Sequence, residues 1–127
     1  YDTLKDTLVM GYELVDNLKP SKNRMIEMAN QGYTTATDFA DYLVKQKKLT
    51  FRDAYTVSSK LVNYAEKNNK TLDKLSLNEL KKFYKNLDKK VLNVLNVRNS
   101  MNSKKSYGGT ARSNIKKMIS KYKKEMR

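Results

Sequence analysis

Apolar residues recur along this chain at intervals of three and four, and strict apolar–polar alternation occurs almost nowhere. A period of 3.6 gathers such residues on one face of a helix, so the pattern predicts an all-α fold. The leading segment shows it first. Leu4, Leu8, Gly11, Val15 and Leu18 form a seam over residues 2–18, with a mean spacing of about 3.5 residues, the interval of helices packed along their length. Pro20 cannot continue that helix. Pro20 and Ser21 open a second, shorter helix through Met25 and Met28, which is expected to stop at a left-handed Gly32. The boundary between these leading helices (residues 1–32) and a compact C-terminal domain (residues 33–127) is placed around Gly32 to Thr35.

Thr35 and Thr37 are expected to cap the next helix, with Asp38 at its positive end. That helix buries Phe39, Ala40, Leu43 and Val44. Thr50 and Asp53 open another, whose stripe is Phe51, Ala54, Val57, Leu61, Val62 and Ala65. Ser76-Leu77-Asn78-Glu79 has the spacing of a capping box, with Leu80 and Phe83 on the buried face. A short helix is expected around Val91, Leu92, Val94 and Leu95, giving way to a polar stretch from Asn96 to Lys105. Ser106 to Gly109 make a turn in which Gly108 or Gly109 takes positive φ. Thr110 is expected to cap a last helix through Ile115, Met118, Ile119, Tyr122 and Met126.

Composition narrows the chemistry. Cysteine and histidine are both absent, which removes thiolate and imidazole metal ligands, disulfides and the commonest general base. The formal net charge is +14, which raises a nucleic-acid reading, since clustered cations neutralise phosphates. Of 27 basic residues, however, 22 are Lys, and Asn is abundant. Base-edge and bidentate phosphate recognition lean on Arg instead. The charge therefore reads as a solvated surface with no specific nucleic-acid partner. Apolar runs are too short to span a membrane, no signal-peptide pattern precedes the first helix, and a cytoplasmic protein is expected. The start at Tyr1, already within a helical pattern, points to a piece of a larger protein.

Four segments together resemble the C-terminal region of argininosuccinate lyases, in the fumarase/aspartase superfamily. Thr35-Ala36-Thr37-Asp38-Phe39-Ala40-Asp41-Tyr42-Leu43-Val44 is similar to the family's A-T-D-L-A-D-Y-L-V run. Leu49-Thr50-Phe51-Arg52-Asp53-Ala54 is similar to its P-F-R-x-A-H segment, and Leu75 to Leu80 to its L-S-L-x-E-L stretch. Ser106-Tyr107-Gly108-Gly109-Thr110-Ala111 is similar to its S-x-G-G-T-A turn. The chain departs at Thr50, where the family has Pro, at Tyr55, where it has His, and at Ser59, where Gly is common.

The resemblance implies trailing helices of a long bundle followed by a small domain of packed helix-turn-helix pairs. It also implies a parent that splits argininosuccinate into arginine and fumarate without a cofactor, in arginine biosynthesis. In the family, a serine on a mobile G-S-S-x-M-P loop abstracts the proton, and three subunits of a homotetramer build each site from upstream regions. No such loop occurs here. The resemblance therefore assigns no catalytic, cofactor or metal residue to any position of this chain. It implies a structural part that supports the active-site mouth and docks other subunits through the first helix.

Several constellations can be read in a second way. Asp38 and Asp41 share a helix face, the spacing of an acid–base pair, but a first-turn electrostatic role accounts for Asp38. Arg52 at a helix start is expected to pair with a carboxylate, with Phe51 in the core. Gly108-Gly109-Thr110, with Lys104, Lys105 and Arg112 nearby, is a possible anion cradle, but it lacks P-loop spacing and reads as a turn with a cap. The nine Tyr residues fall mainly at helical core spacings or amphipathic edges and read as core in preference to stacking platforms. The rival to the lyase reading is a basic helical module that binds nucleic acid or docks a partner protein.

Overall fold

The computed structural model describes residues 1–126 and shows eight α-helices, one 3₁₀ turn and, among the described residues, no strand. The helices are α1 (Asp2–Asp16), α2 (Lys22–Gln31), α3 (Ala36–Lys47), α4 (Phe51–Lys67), α5 (Leu77–Lys81), α6 (Lys90–Val94), α7 (Val97–Ser103) and α8 (Arg112–Glu125). The 3₁₀ turn, Leu72–Lys74, precedes α5 and buries Leu72.

The centre of the fold is the α3–α4 hairpin. Lys48, in the left-handed region at φ 59°, ends α3 with its amide donating to the Leu43 carbonyl. The chain then turns within three residues to Thr50, whose Oγ1 accepts the Asp53 amide at 3.2 Å and starts α4. α3 packs most extensively on α4 and next on α6. Phe39, Leu43, Leu61, Leu80, Val91 and Leu95 are the large side chains fully withdrawn from solvent. Ser58, buried in the α3–α4 contact, satisfies its hydroxyl by donating to the Ala36 carbonyl at 2.7 Å.

Two polar knots tie later segments to this hairpin. In the first, the Asp88 carboxylate accepts from Tyr42 Oη at 3.1 Å, from Lys47 Nζ at 3.2 Å and from the Lys90 amide at 2.8 Å. Asp88 is held below the usual carboxylate range first by Lys47 and then by the Lys90 amide. Burial, reinforced by Asp88, raises the Tyr42 phenol. The second knot is the expected capping box. Ser76 Oγ accepts the Glu79 amide at 3.3 Å, and the Glu79 carboxylate accepts the Ser76 amide at 2.8 Å. Lys70 Nζ donates to the same carboxylate at 2.7 Å.

Lys70 and the Ser76 donors lower the Glu79 carboxyl from 4.5 to about 2. In that interval the unfolded chain takes up a proton that the folded chain refuses, so stability falls as pH falls. The contribution is complete above about 4.5 and is lost as pH drops through about 2. The melting midpoint should decline across this window, and Glu79→Gln should flatten the decline, with Asp88 left to account for the remainder. Parallel profiles for the two proteins would contradict the assignment.

Several expectations are corrected. Gly32 has φ −81°, and the left-handed residue is the next one, Tyr33 at φ 49°. Thr35 is buried and makes no side-chain cap, while Thr34 donates back to the Ala29 carbonyl. Val44 is only partly buried, and Tyr42 occupies the core in addition. Phe51 is exposed, stacked on Tyr55 one turn away, because it stands at the open end of α4. The polar stretch from Asn96, to which the sequence assigned no helix, contains α7, started by the Asn96 side chain accepting the Arg98 and Asn99 amides. Thr110 does not cap α8. Its hydroxyl donates to the Met101 carbonyl, and Ala111 takes the N-cap position. Of the nine tyrosines only Tyr42 is buried, and Tyr1, Tyr12, Tyr55, Tyr107 and Tyr122 are exposed.

Candidate functional site

Asp38 and Asp41 lie on one side of α3, as their spacing requires, but they do not act on one another. Asp38 is largely covered and receives Ser100 Oγ on one carboxylate oxygen and Lys104 Nζ on the other. Asp41 pairs with Lys45 one turn on, at 3.3 Å. Each carboxylate therefore has its own cation, and an acid–base pair sharing a proton is not formed. Asp38 instead clamps α7 to α3. Its partners Ser100 and Lys104 lie 62 and 66 residues away, so no local sequence signal announces the clamp. These groups line a cleft of about 420 Å³ between α3, α6 and α7, floored by Val94 and edged by Asn93 and Asn99.

A second groove of about 420 Å³ runs between α3 and α4. Ala40, Val62, Phe51 and Tyr55 line it, with Ser59 alongside. Two of the three positions that depart from the family pattern, Tyr55 and Ser59, thus border one shallow groove. Thr50, the third, supplies the α4 cap that proline cannot supply, since it has no side-chain acceptor.

The glycine turn is a structural device. Gly108 has φ 76°, as expected of one of the pair. The Gly109 amide donates to the Ser106 carbonyl at 2.9 Å and the Ala111 amide to the Lys104 carbonyl at 3.1 Å. Asn114 Nδ2 closes the loop on the Ser106 carbonyl at 2.6 Å. These donors are spent inside the turn, and Lys104 is committed to Asp38, so an anion cradle is not assembled. Arg52, expected to pair with a carboxylate, makes no ion pair among the described residues.

Among the described residues, no group of three acidic, His or Cys side chains is placed to hold a metal. No helix there is long and apolar enough to cross a membrane. Among the described residues, the leading helix is an apolar feature without an internal partner. α1 buries no residue, and Leu4, Leu8 and Val15 are each more than 60% exposed. The space where Gly11 would carry a Cβ is open. Leu18, the last seam residue, lies beyond the helix end and is exposed as well.

A family model described as "Argininosuccinate lyase C-terminal" matches residues 33–102. The argininosuccinate lyase of Pelagibacter ubique is 53% identical over 123 residues, 97% of this chain and 27% of that protein. The argininosuccinate lyase of Pseudomonas aeruginosa is 37% identical over 120 residues, 94% of this chain and 26% of that protein. The chain therefore spans about a quarter of the length of these curated relatives. A solved EDDS lyase variant with bound fumarate matches with a TM-score of 0.75 at 22% identity, over 84% of this chain and 23% of the other. At that identity the likeness concerns the fold.

Proposed function

Because this chain belongs to the argininosuccinate lyase family and matches its C-terminal region, we propose that it is the non-catalytic end of an enzyme that cleaves argininosuccinate to arginine and fumarate. The observation that carries the reading is a division of labour within the chain. Residues 33–102 hold a closed core with Asp38 and Asp41 tied in structural pairs, whereas α1 displays an unpartnered apolar seam. We take residues 1–32 as the end of the parent's central helical bundle and residues 33–127 as its C-terminal domain. The absence of buried residues in α1 and α2, and the start of the family match at residue 33, support that division.

In this role the domain supports the active-site mouth, and α1 docks against other subunits of a homotetramer. The parent's substrate is argininosuccinate, its reaction needs no cofactor, and its compartment is the cytoplasm, as its biosynthetic class implies. Elimination needs a base held on the substrate carbon, and the candidate carboxylates Asp38 and Asp41 are each tied to a lysine instead. The Lys-rich surface supplies counterion release without base contacts, so no specific nucleic-acid function is assigned.

Fumarate absorbance separates the alternatives. The purified chain should form no fumarate from argininosuccinate above a buffer blank, and the longer protein encoded with its upstream segments should. Sustained turnover by the chain alone, surviving repurification, would overturn the assignment of chemistry to upstream segments. An inactive longer protein that forms the same assembly would overturn the lyase reading for this chain's parent.

A further inference from the structure

Of the helices that bury no residue, α1 and α8 are the two longest, and they carry opposite charge. α1 bears Asp2, Asp6, Glu13 and Asp16 against Lys5 alone, and α8 bears six basic residues against Glu125 alone. None of the α1 carboxylates makes an ion pair among the described residues, and of the α8 cations only Lys121 does, with Glu125. The two helices also match in length, at 15 and 14 residues.

The match extends to spacing. At 100° per residue, Asp2, Asp6 and Glu13 form one stripe of α1 at positions i, i+4 and i+11. Arg112, Lys116 and Lys123 form one stripe of α8 at the same intervals. The acidic stripe borders the α1 face that carries Met10 and Leu14, 71% and 66% exposed. The basic stripe borders the α8 face that carries Ile115, Ile119 and Tyr122, all exposed. Laid parallel with these apolar faces together, the helices bring the two stripes to the same side of the contact. An antiparallel pairing reverses one set of intervals and loses the register. The Met10–Leu14 face is also distinct from the seam of Leu4, Leu8 and Val15. The apolar arc of α1 covers about 200° of its circumference, enough for two neighbouring helices.

We propose that α8 of one copy lies parallel to α1 of a second copy, with Arg112 opposite Asp2, Lys116 opposite Asp6 and Lys123 opposite Glu13. The inference rests on the reading of α1 as an assembly surface and names the occupant of its second face. Within one chain α1 and α8 are not among the helix pairs that pack substantially on each other, and the complementary stripes place the partner in a second molecule.

Charge-swapped chains test it by sedimentation velocity. One protein carries Lys116→Glu and Lys123→Glu, and the other carries Asp6→Lys and Glu13→Lys. Circular dichroism confirms that both fold, the sites being exposed. Wild-type chain should self-associate, less at high salt because exposed charge pairs are screened. Each swapped protein alone should associate at least tenfold more weakly, since two of the three paired stripe positions then face like charge. Mixing the two should restore association as heteromers. A monomeric mixture, or swapped proteins that associate as the wild type does, would overturn the pairing. If Leu8→Asp abolishes association while the charge swaps leave it intact, the seam reading stands and this inference falls. Wild-type chain that stays monomeric but binds phosphatidylserine vesicles through Lys116 and Lys123 would assign α8 to a membrane surface and overturn the pairing as well.

Discussion

Phe39→Ala should destabilise the chain by about 3–5 kcal/mol, a large part of what holds a domain of this size together. Phe39 sits on the side of α3 that meets α4, with no exposed surface, among Leu43, Leu61 and Leu80. Truncation removes apolar transfer energy and leaves a void that helices tied by the Asp88 and Glu79 knots cannot close freely. The proper contrast is Leu8→Ala, a large apolar residue of similar chemistry that is 65% exposed on α1. In dilute solution that change should move stability by no more than about 0.5 kcal/mol. Urea unfolding of both variants at low protein concentration checks the pair. Similar midpoint shifts for the two would mean that α1 belongs to the same cooperative core.

Gly109→Ala should be the most damaging small change outside the core. A Cβ at that position would stand 2.3 Å from the Lys104 carbonyl oxygen and 2.9 Å from that of Ser106, both backbone atoms. Neither can yield like the end of a flexible side chain, and the Lys104 carbonyl already accepts the Ala111 amide. Overpacking of this kind costs about 1–3 kcal/mol. Gly108→Ala meets open space and only the left-handed backbone penalty, about 1–2 kcal/mol at φ 76°. Thermal melts should therefore rank Gly109→Ala below Gly108→Ala, and Gly108→Asn nearest the wild type, because Asn tolerates that region. The reverse order would mean that the turn closes differently.

The helices that were legible in the sequence are those whose signals are local. Thr50 and Asp53, three residues apart, start α4 through one side-chain bond, and Ser76 with Glu79 completes a capping box within four residues. What escaped depends on distance or on the ends of elements. α7 carries no buried residue, so its polar run shows no stripe. Asn96 starts it, and the clamp from Asp38 sixty-odd positions earlier fastens it. Phe51 falls on the buried angle of α4 by periodicity yet lies exposed, since a helical period says nothing about how far the neighbouring helix reaches. Tyr42 joins the core because Asp88, which it meets only in the folded chain, satisfies its hydroxyl. The candidate site behaved alike. The absence of His and Cys was visible at once, while the separate pairing of Asp38 and Asp41 required the fold.

The division of this chain into a self-sufficient core and an assembly helix is tested most directly by native-state hydrogen exchange over a dilution series. At the lowest concentrations, amides of α3, α4 and α6 should exchange only through global unfolding. Those of α1 should exchange at nearly the unfolded rate, because a lone helix of 15 residues is marginal in water. As concentration rises and the apolar face of α1 is covered, its protection should rise with the assembled fraction. An α1 fully protected in a strictly monomeric sample would contradict the account, since the chain's own core would then bury the seam assigned to its partners.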